Sequence, residues 1–395
     1  MSMRVCLVLH TDLYEPWPVL RAKREVDVLR RLGREVVVVS WIKDETKQWP
    51  VHEVRDGVRI RRVKFAPPKS AVARALGYRR ISRMFAKEVI ATKPDAILCH
   101  DLEMLWSAAM AGRALQVPVL YHAHEDWPAM VSQQSPLEAI AFANLERRLG
   151  KEVDHVYTVG EDLAEKYRQW GKPVTVQYGS KSLAEMPRLP PEEREEIRRR
   201  FGLRATDIVV GIAGALGTGW ALEPMLAAVK PMDPSVRLFV VGGFPDKIEA
   251  ARELVEREAM GDRVAFTGPL PTPDYLRHTG VLDIGLAVFH AASANLVNVM
   301  PQKLFDYMGL GVPTVISDFP AMRRVAIDDC HFAIAVDPDS PESIRKGIAA
   351  LANDPEQRRA MAESAIRRFR DTYCWERQEE ALRASHPIFA GARTA

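Results

Sequence analysis

Lys303 and Asp306 lie three residues apart in "NVMPQKLFDYMGLGVPTVIS" (298–317), where Pro301 and Gln302 open a helical pattern and "GLGVP" leads into an apolar strand. Proline suits a first helical turn, because the N–H it lacks is one that a helix start leaves unpaired anyway. The remaining unpaired N–H groups and the positive end of the helix dipole attract an anion, and Lys303 adds a full charge. Residues three apart share one side of a helix, so Asp306 falls behind Lys303, one turn deeper. A carboxylate does not bind a phosphate, but it accepts hydrogen bonds from a pair of sugar hydroxyls. Phosphate and ribose together describe a nucleotide. The spacing alone is met equally by a solvated lysine at a helix start with a surface acid behind it.

A second set of chemistry-bearing residues comes in pairs. His100-Asp101 follow "AILC", and His124-Glu125 close "VPVLYHAHE". Both pairs sit at carboxyl ends of strands, the sheet edge where open α/β folds bind ligands. Each His also reads as a structural residue bonded to backbone, although two such pairs on adjacent strands favour a site. Gly242-Gly243, ending "RLFVVGG", let backbone approach a ligand or simply make a tight turn.

The elements that must position these residues are legible as apolar runs. In the first half they are 4–10, 35–41, 96–100, 117–123, 155–160 and 174–179; in the second they are 208–214, 236–243, 263–268, 283–289, 312–317 and 332–336. Continuous Val/Ile/Leu runs separated by helical patterns imply strands buried on both faces of parallel sheets. The chain has 395 residues, more than one core usually serves, so two domains are expected. The Pro-rich, highly charged "MPRLPPEEREEIRRRFG" marks the change, with domains at 1–182 and 183–374. Hydrophobic content of 47%, charged content of 27% and a net charge of +3 are ordinary for a globular protein, so attraction to anions must be local. Cys6, Cys99, Cys330 and Cys374 show no paired spacing and read as buried reduced thiols. The N-terminus runs directly into a strand, and no apolar run reaches membrane-spanning length, so a cytoplasmic protein is the expectation. No Gly-x-Gly-x-x-Gly follows the first strand and no P-loop signature appears, which disfavours a nicotinamide enzyme or a P-loop ATPase.

The order of motifs resembles retaining glycosyltransferases of the GT-B fold, particularly glycosyltransferase family 4. "KLFDYMGLGVPTVIS" is similar to the second half of that family's donor-binding signature, and "VAFTGPLPTPDYLRHTGVLDIGLAVF" to the segment before it. "YTVGEDLAEKY…GKPVTVQYGS" resembles the end of the N-terminal domain, and "DTYCWERQEEAL" the closing segment, whose last helix (about 375–395) crosses back to the first domain. "AILCHDLEMLWSA" and "VPVLYHAHEDWP" resemble a subgroup with His-Asp and then His-Glu after successive strands. The resemblance implies two Rossmann-like doubly wound α/β domains, an N-terminal acceptor domain and a C-terminal donor domain. It implies donor contacts from Gly214, Leu216, Gly217, Gly242, Thr267, Gly268, Pro269, Asn298, Met300, Pro301, Gln302, Lys303, Leu304 and Asp306. It places His124 near the reacting carbon of the donor sugar, with Asp101 and Glu125 orienting the acceptor hydroxyl, His100 and Asp101 on the acceptor side, and Lys303 on the leaving phosphate. A metal set from His100, Asp101, His122, His124 and Glu125 is conceivable, but the resemblance implies no metal and no cofactor beyond the nucleotide diphosphate sugar. Three departures stand out. Asp306 replaces a Glu, Asn298 replaces the Glu eight residues earlier, and "GALGTGWALEPM" lacks the family's Arg and Lys, leaving Lys303 as the principal cation.

From Arg59 to Lys93 eleven cations face one acid, Glu88. Leu76, Ile81, Met84, Phe85 and Val89 recur among them at near-helical intervals, as in a helix lying on an anionic membrane. A phosphate-bearing acceptor, or a core-packed helix with a solvated basic face, fits the same pattern, whereas no nucleic-acid motif appears. The resemblance implies a glycosyltransferase moving a sugar from a nucleotide diphosphate sugar to an acceptor hydroxyl with retention. An epimerase of nucleotide sugars on the same fold, and a non-catalytic partner subunit motivated by Asn298 and the missing cations, stay open as alternatives.

Overall fold

The computed structural model describes residues 2–15, 20–44, 46–66, 71–132, 135–214, 216, 219–292, 294–298 and 300–391, with the side chains of 71–76 and 294 set aside. Gly217, expected among the donor contacts, lies outside the described residues. Two compact units result: Met1–Gly179 with Glu379–Ala395, and Ser180–Gln378. The divisions fall at 179/180 and 378/379, against the 182/183 and 374/375 read from composition and resemblance.

The first unit is an eight-stranded sheet. Its strands are β1 (Arg4–Leu9), β2 (Glu35–Ile42), β3 (His52–Arg55), β4 (Val58–Lys64), β5 (Ala96–His100), β6 (Val119–Ala123), β7 (His155–Thr158) and β8 (Val174–Val176). They run in the order β3-β4-β2-β1-β5-β6-β7-β8, parallel except for the β3–β4 pair. Strand ends differ from the apolar runs by a few residues, and the runs are buried on both faces: Val5, Cys6, Leu7, Val8, Ile97 and Leu98 are all at 0% exposure. The closing helix Trp375–Ser385 delivers Ser385 to the hydroxyl of Tyr157 on β7 at 2.8 Å, and Phe389 lies edge-on to the same ring. The four cysteines are buried and unbridged.

The β3–β4 hairpin corrects the expectation of a wholly parallel sheet. Asp56 and Gly57 at its turn have φ of 50° and 71°, the left-handed conformation that Asp-Gly tolerates and a tight hairpin requires. The hairpin also spends cations counted in the basic stretch. Arg62 is buried between Asp12 and Glu53, each at 2.7 Å, while Arg61 pairs with Glu88 and Arg59 with Glu35. The helix Ala71–Ala91 buries Ile81, Phe85 and Val89 in the unit's core and exposes Arg79, Arg80, Arg83 and Lys87. Of the apolar residues in the expected pattern, Ile81, Phe85 and Val89 are therefore spent on the core, Met84 is half-buried, and the side chain of Leu76 lies outside those described.

The second unit is a six-stranded parallel sheet of β9 (Ile208–Ala213), β10 (Val236–Val241), β11 (Val264–Phe266), β12 (Ile284–Ala287), β13 (Thr314–Ser317) and β14 (Ala333–Val336), in the order β11-β10-β9-β12-β13-β14. The helix Gln302–Leu310 packs on β9 and β12 through Tyr307. Its buried hydroxyl accepts the Ala213 N–H at 2.9 Å and approaches the carbonyls of Gly211 and Leu286 at 3.2 Å. Gly311, with φ of 68°, ends the helix in a left-handed cap, its N–H reaching back to the carbonyls of Met308 and Tyr307.

Tyr307→Phe leaves the Ala213 N–H buried without its partner, a desolvation cost of about 1–3 kcal/mol. Urea unfolding should show that loss; a shift under about 0.5 kcal/mol would mean the hydroxyl does not hold helix to sheet.

Candidate active site

In the second unit, glycines follow the neighbouring strands β9 and β10. A Cβ at Gly214, where φ is 90°, would lie 3.4 Å from Cε of Lys303 and 3.6 Å from the hydroxyl of Tyr275. A Cβ at Gly242 would lie 3.4 Å from the Tyr275 ring. Bare backbone at both strand ends thus faces Lys303 and Tyr275, a surface that a ligand's phosphate can approach closely. The Thr267 hydroxyl accepts the Gly242 N–H at 2.9 Å and donates to the Gly268 carbonyl at 2.8 Å, tying the loop that continues to Pro269 to this edge.

Lys303 occupies the first turn of the helix that Pro301 caps and Gln302 opens. Its ammonium is 4.0 Å from the Trp220 ring centroid and 4.9 Å from that of Phe289, a cation held by aromatic faces. Burial lowers its pKa to about 7, with the field of Asp306 opposing. Among the described residues no carboxylate lies within ion-pair range of it.

Asp306 is 3% exposed, and both its oxygens are taken. Lys181 donates to Oδ1 at 2.6 Å and the Tyr275 hydroxyl to Oδ2 at 3.1 Å. Of the other expected donor contacts, Leu304 and Met300 are 0% and 6% exposed and Leu216 belongs to the apolar core cluster. Asn298 ends a short helix, half-buried.

In the first unit, β5 and β6 pair His100 directly with His122, and His124 follows two residues on. The helix Leu20–Arg31 brings Glu25 and Arg21 against them. Glu25 Oε1 meets His122 Nδ1 at 2.7 Å, and Oε2 meets His100 Nε2 at 3.0 Å. His124 Nε2 meets His100 Nδ1 at 2.9 Å, and Arg21 reaches His124 Nδ1 at 3.1 Å. An arginine only donates, so His124 carries its proton on Nε2 and gives it to His100, whose own proton faces Glu25. Burial would push the Glu25 carboxyl up, but His100 and His122 outweigh it and hold it at about 2. Burial and the neighbouring cations push His124 well below its ordinary value, so it is neutral at pH 7. The ligand atoms of His100, His122 and His124 lie within 4.8 Å of one another.

Asp101 follows β5 with φ of 61° and ψ of 159°, a strained backbone for a residue with a side chain. Its Oδ1 accepts the His124 N–H at 3.0 Å, and Oδ2 lies 3.2 Å from His10 Nδ1. Burial raises its pKa, but His10 and the His124 N–H outweigh burial and keep it below the ordinary value. Glu125 is half-buried beside this network and contributes to the field on Arg21.

The structure therefore gathers Gly214, Gly242, Thr267, Gly268, Lys303 and Asp306 in one unit, and His100, Asp101, His124 and Glu125 in the other. It adds Lys181, Tyr275, Arg21, Glu25 and His10, which the sequence reading passed over. Glu25 carries a local signal, since it interrupts the buried stripe Ala22, Val26 and Leu29 with a charge. Lys181 carries none, being 125 residues from its partner.

Residues 20–178 match the Glycosyl transferase 4-like domain, and residues 193–368 match Glycosyl transferases group 1. A GDP-mannose-dependent alpha-(1-6)-phosphatidylinositol monomannoside mannosyltransferase of Mycobacterium tuberculosis is 23% identical over 311 residues, 73% of this chain and 78% of that protein. A D-inositol 3-phosphate glycosyltransferase of Segniliparus rotundus is 26% identical over 202 residues, 50% of this chain and 43% of that protein. Sucrose-phosphate synthase from Thermosynechococcus elongatus superposes with a TM-score of 0.78 at 16% identity, covering 97% of each chain. Anabaena HepE in complex with UDP does so at 0.72 and 16%, covering 97% of this chain and 100% of that one. At these identities the structural likeness concerns the fold.

Glu25→Ala removes the carboxylate that pairs with His100 and His122, and breaking a buried charged contact of this kind costs about 3–5 kcal/mol. Chemical unfolding measures the loss. A variant within about 1 kcal/mol of the parent would show that the imidazoles hold themselves without it.

Proposed function

Because the chain belongs to the glycosyltransferases of the GT-B fold, with a family-4-like N-terminal domain, we propose that it transfers a hexosyl group from a nucleoside diphosphate sugar to an acceptor hydroxyl with retention of configuration. The observation that carries this reading is Lys303: a desolvated cation at a helix start, beside bare glycine backbone, with no carboxylate of its own among the described residues. In the transfer, the bond from the anomeric carbon to the diphosphate breaks and its electron pair leaves with the phosphate. The negative charge that gathers there is met by Lys303 and the unpaired N–H groups of the Gln302–Leu310 helix. These groups stand where a divalent cation would otherwise act, so the proposed reaction requires no metal and no cofactor besides its donor.

The donor belongs to the second unit, with Gly214, Gly242 and Thr267 along the diphosphate and base and Asn298 toward the sugar. The acceptor belongs to the first unit. There Asp101, ionised and held between His10 and the His124 backbone, orders the edge that presents His124 and Glu125. The exposed Arg79, Arg80, Arg83 and Lys87 support an acceptor that carries phosphate, displayed at an anionic membrane surface. The names of two relatives contain phosphate-bearing inositols, a phosphatidylinositol monomannoside and D-inositol 3-phosphate. No described helix is long and apolar enough to cross a membrane, so the association would be peripheral.

Lys303→Ala should weaken donor binding and turnover by about 2–3 kcal/mol, roughly 30- to 150-fold, as for a charged contact in a closed site. Full activity and affinity in that variant would remove the phosphate assignment.

The pKa of Lys303 adds a pH dependence. Below about pH 7 the lysine is charged before and after binding, and affinity is at its maximum. Above it, a bound diphosphate raises the pKa and binding must take up a proton. Affinity for the intact nucleotide sugar should then fall by up to about tenfold per pH unit until the bound-state value is passed. Calorimetry from pH 6 to 9 measures this, and Lys303→Met should flatten the profile; a parent profile already flat would show that Lys303 does not meet the diphosphate.

A further inference from the structure

The carboxylate expected to grip the donor's ribose is closed off by two side chains from elsewhere in the same unit. Lys181 and Asp306 have side chains only 6% and 4% exposed, with 2.6 Å between Nζ and Oδ1. Tyr275 takes Oδ2. Each oxygen keeps a lone pair, but at 3% exposure of the residue no ligand hydroxyl reaches it.

Lys181 is not poised to swing away. Its carbonyl accepts the Trp375 N–H at 2.9 Å, and the next residue, Ser182, forms a capping box with Glu185. Its ammonium lies 5.8 Å over the Tyr275 ring, so removing it from Asp306 would leave a buried cation and a buried anion each without a partner. A ligand therefore gains little by competing for this carboxylate.

Taking the second unit as the donor site, we propose that Lys181 and Tyr275 are specificity-determining residues that withhold Asp306 from the ribose, so that the protein accepts 2′-deoxyribonucleoside diphosphate sugars as readily as ribonucleoside ones. A site built to bond a hydroxyl rejects the analogue lacking it, because its own polar group is left unpaired. Here that polar group is already paired within the protein. The substrate class is widened at the ribose, while the diphosphate contact at Lys303 is unaffected.

The test is calorimetry on the intact protein with UDP against 2′-deoxy-UDP and GDP against 2′-deoxy-GDP. The parent should bind the members of each pair within about threefold of one another. Lys181→Met uncovers Asp306 and should shift the preference to the ribose form by about tenfold or more, while Lys181→Arg keeps the ion pair and the parent's ratio. Tyr275→Phe uncovers only Oδ2 and should give an intermediate ratio. A parent preference for ribose of about tenfold or more overturns the proposal without any variant. A Lys181→Met protein that binds nucleotide yet keeps a ratio within about threefold overturns the role of Lys181. If the parent binds none of the four nucleotides, the donor-site reading fails first and this proposal with it.

Discussion

One carboxylate faces two lysines in the second unit, and the arrangement of the site depends on which it serves. Asp306 lies three residues from Lys303 on the same helix, yet its ion pair is with Lys181. A buried carboxylate is stable only when its charge is matched at close range, and Lys181 does that at 2.6 Å. Lys303 feels Asp306 only as a more distant field. Desolvated among Trp220 and Phe289, it has its pKa drawn to about 7. The result is one satisfied ion pair and one under-compensated cation. Pairing Asp306 with Lys303 instead would have left Lys181 buried without its carboxylate and the charge of Lys303 compensated.

The first unit solves a related problem with one carboxylate and three imidazoles. Glu25 faces His100 and His122, and the proton order is completed through His124 by Arg21, which can only donate. Both ring nitrogens of His124 are thereby engaged by the protein. The edge of this sheet is held by a linked set of imidazoles, a carboxylate and a guanidinium rather than by a single poised base, with Asp101 strained at φ of 61° to reach His10 and the His124 N–H together. Such strain persists only where surrounding contacts over-determine it, and here the His124 N–H hydrogen bond and the close His10 contact do so.

The bare backbone at Gly214 and Gly242 and the hydroxyl of Tyr307 show how close packing supports this electrostatics. Tyr307 ties helix to sheet by bonding the Ala213 amide just before Gly214, so the turn carrying the glycine and the helix carrying Lys303 are held as one piece. Arg62, Arg61 and Arg59, by contrast, are absorbed by carboxylates within their own unit. A count of cations along the chain therefore overstates the charge left for a ligand or a surface.

Local order determined a good deal by itself. Apolar runs such as 4–10 and 208–214 announced buried parallel strands, because a residue's burial on both faces requires continuous hydrophobicity whatever it packs against. The Pro301–Gln302 start and the "GLG" stop placed the helix that carries Lys303, since caps act within a few residues. The β3–β4 hairpin was also written locally, in Asp56-Gly57, and was hidden by reading its arginines as part of a basic run. What only the tertiary structure decided is the pairing of charge. Lys181 reaches Asp306 across 125 residues, and Glu25 reaches His122 across 97. Hydrophobic period and capping are short-range properties that a sequence window contains, whereas the partner of a buried charge is whichever opposite group the assembled strands and helices bring within about 3 Å.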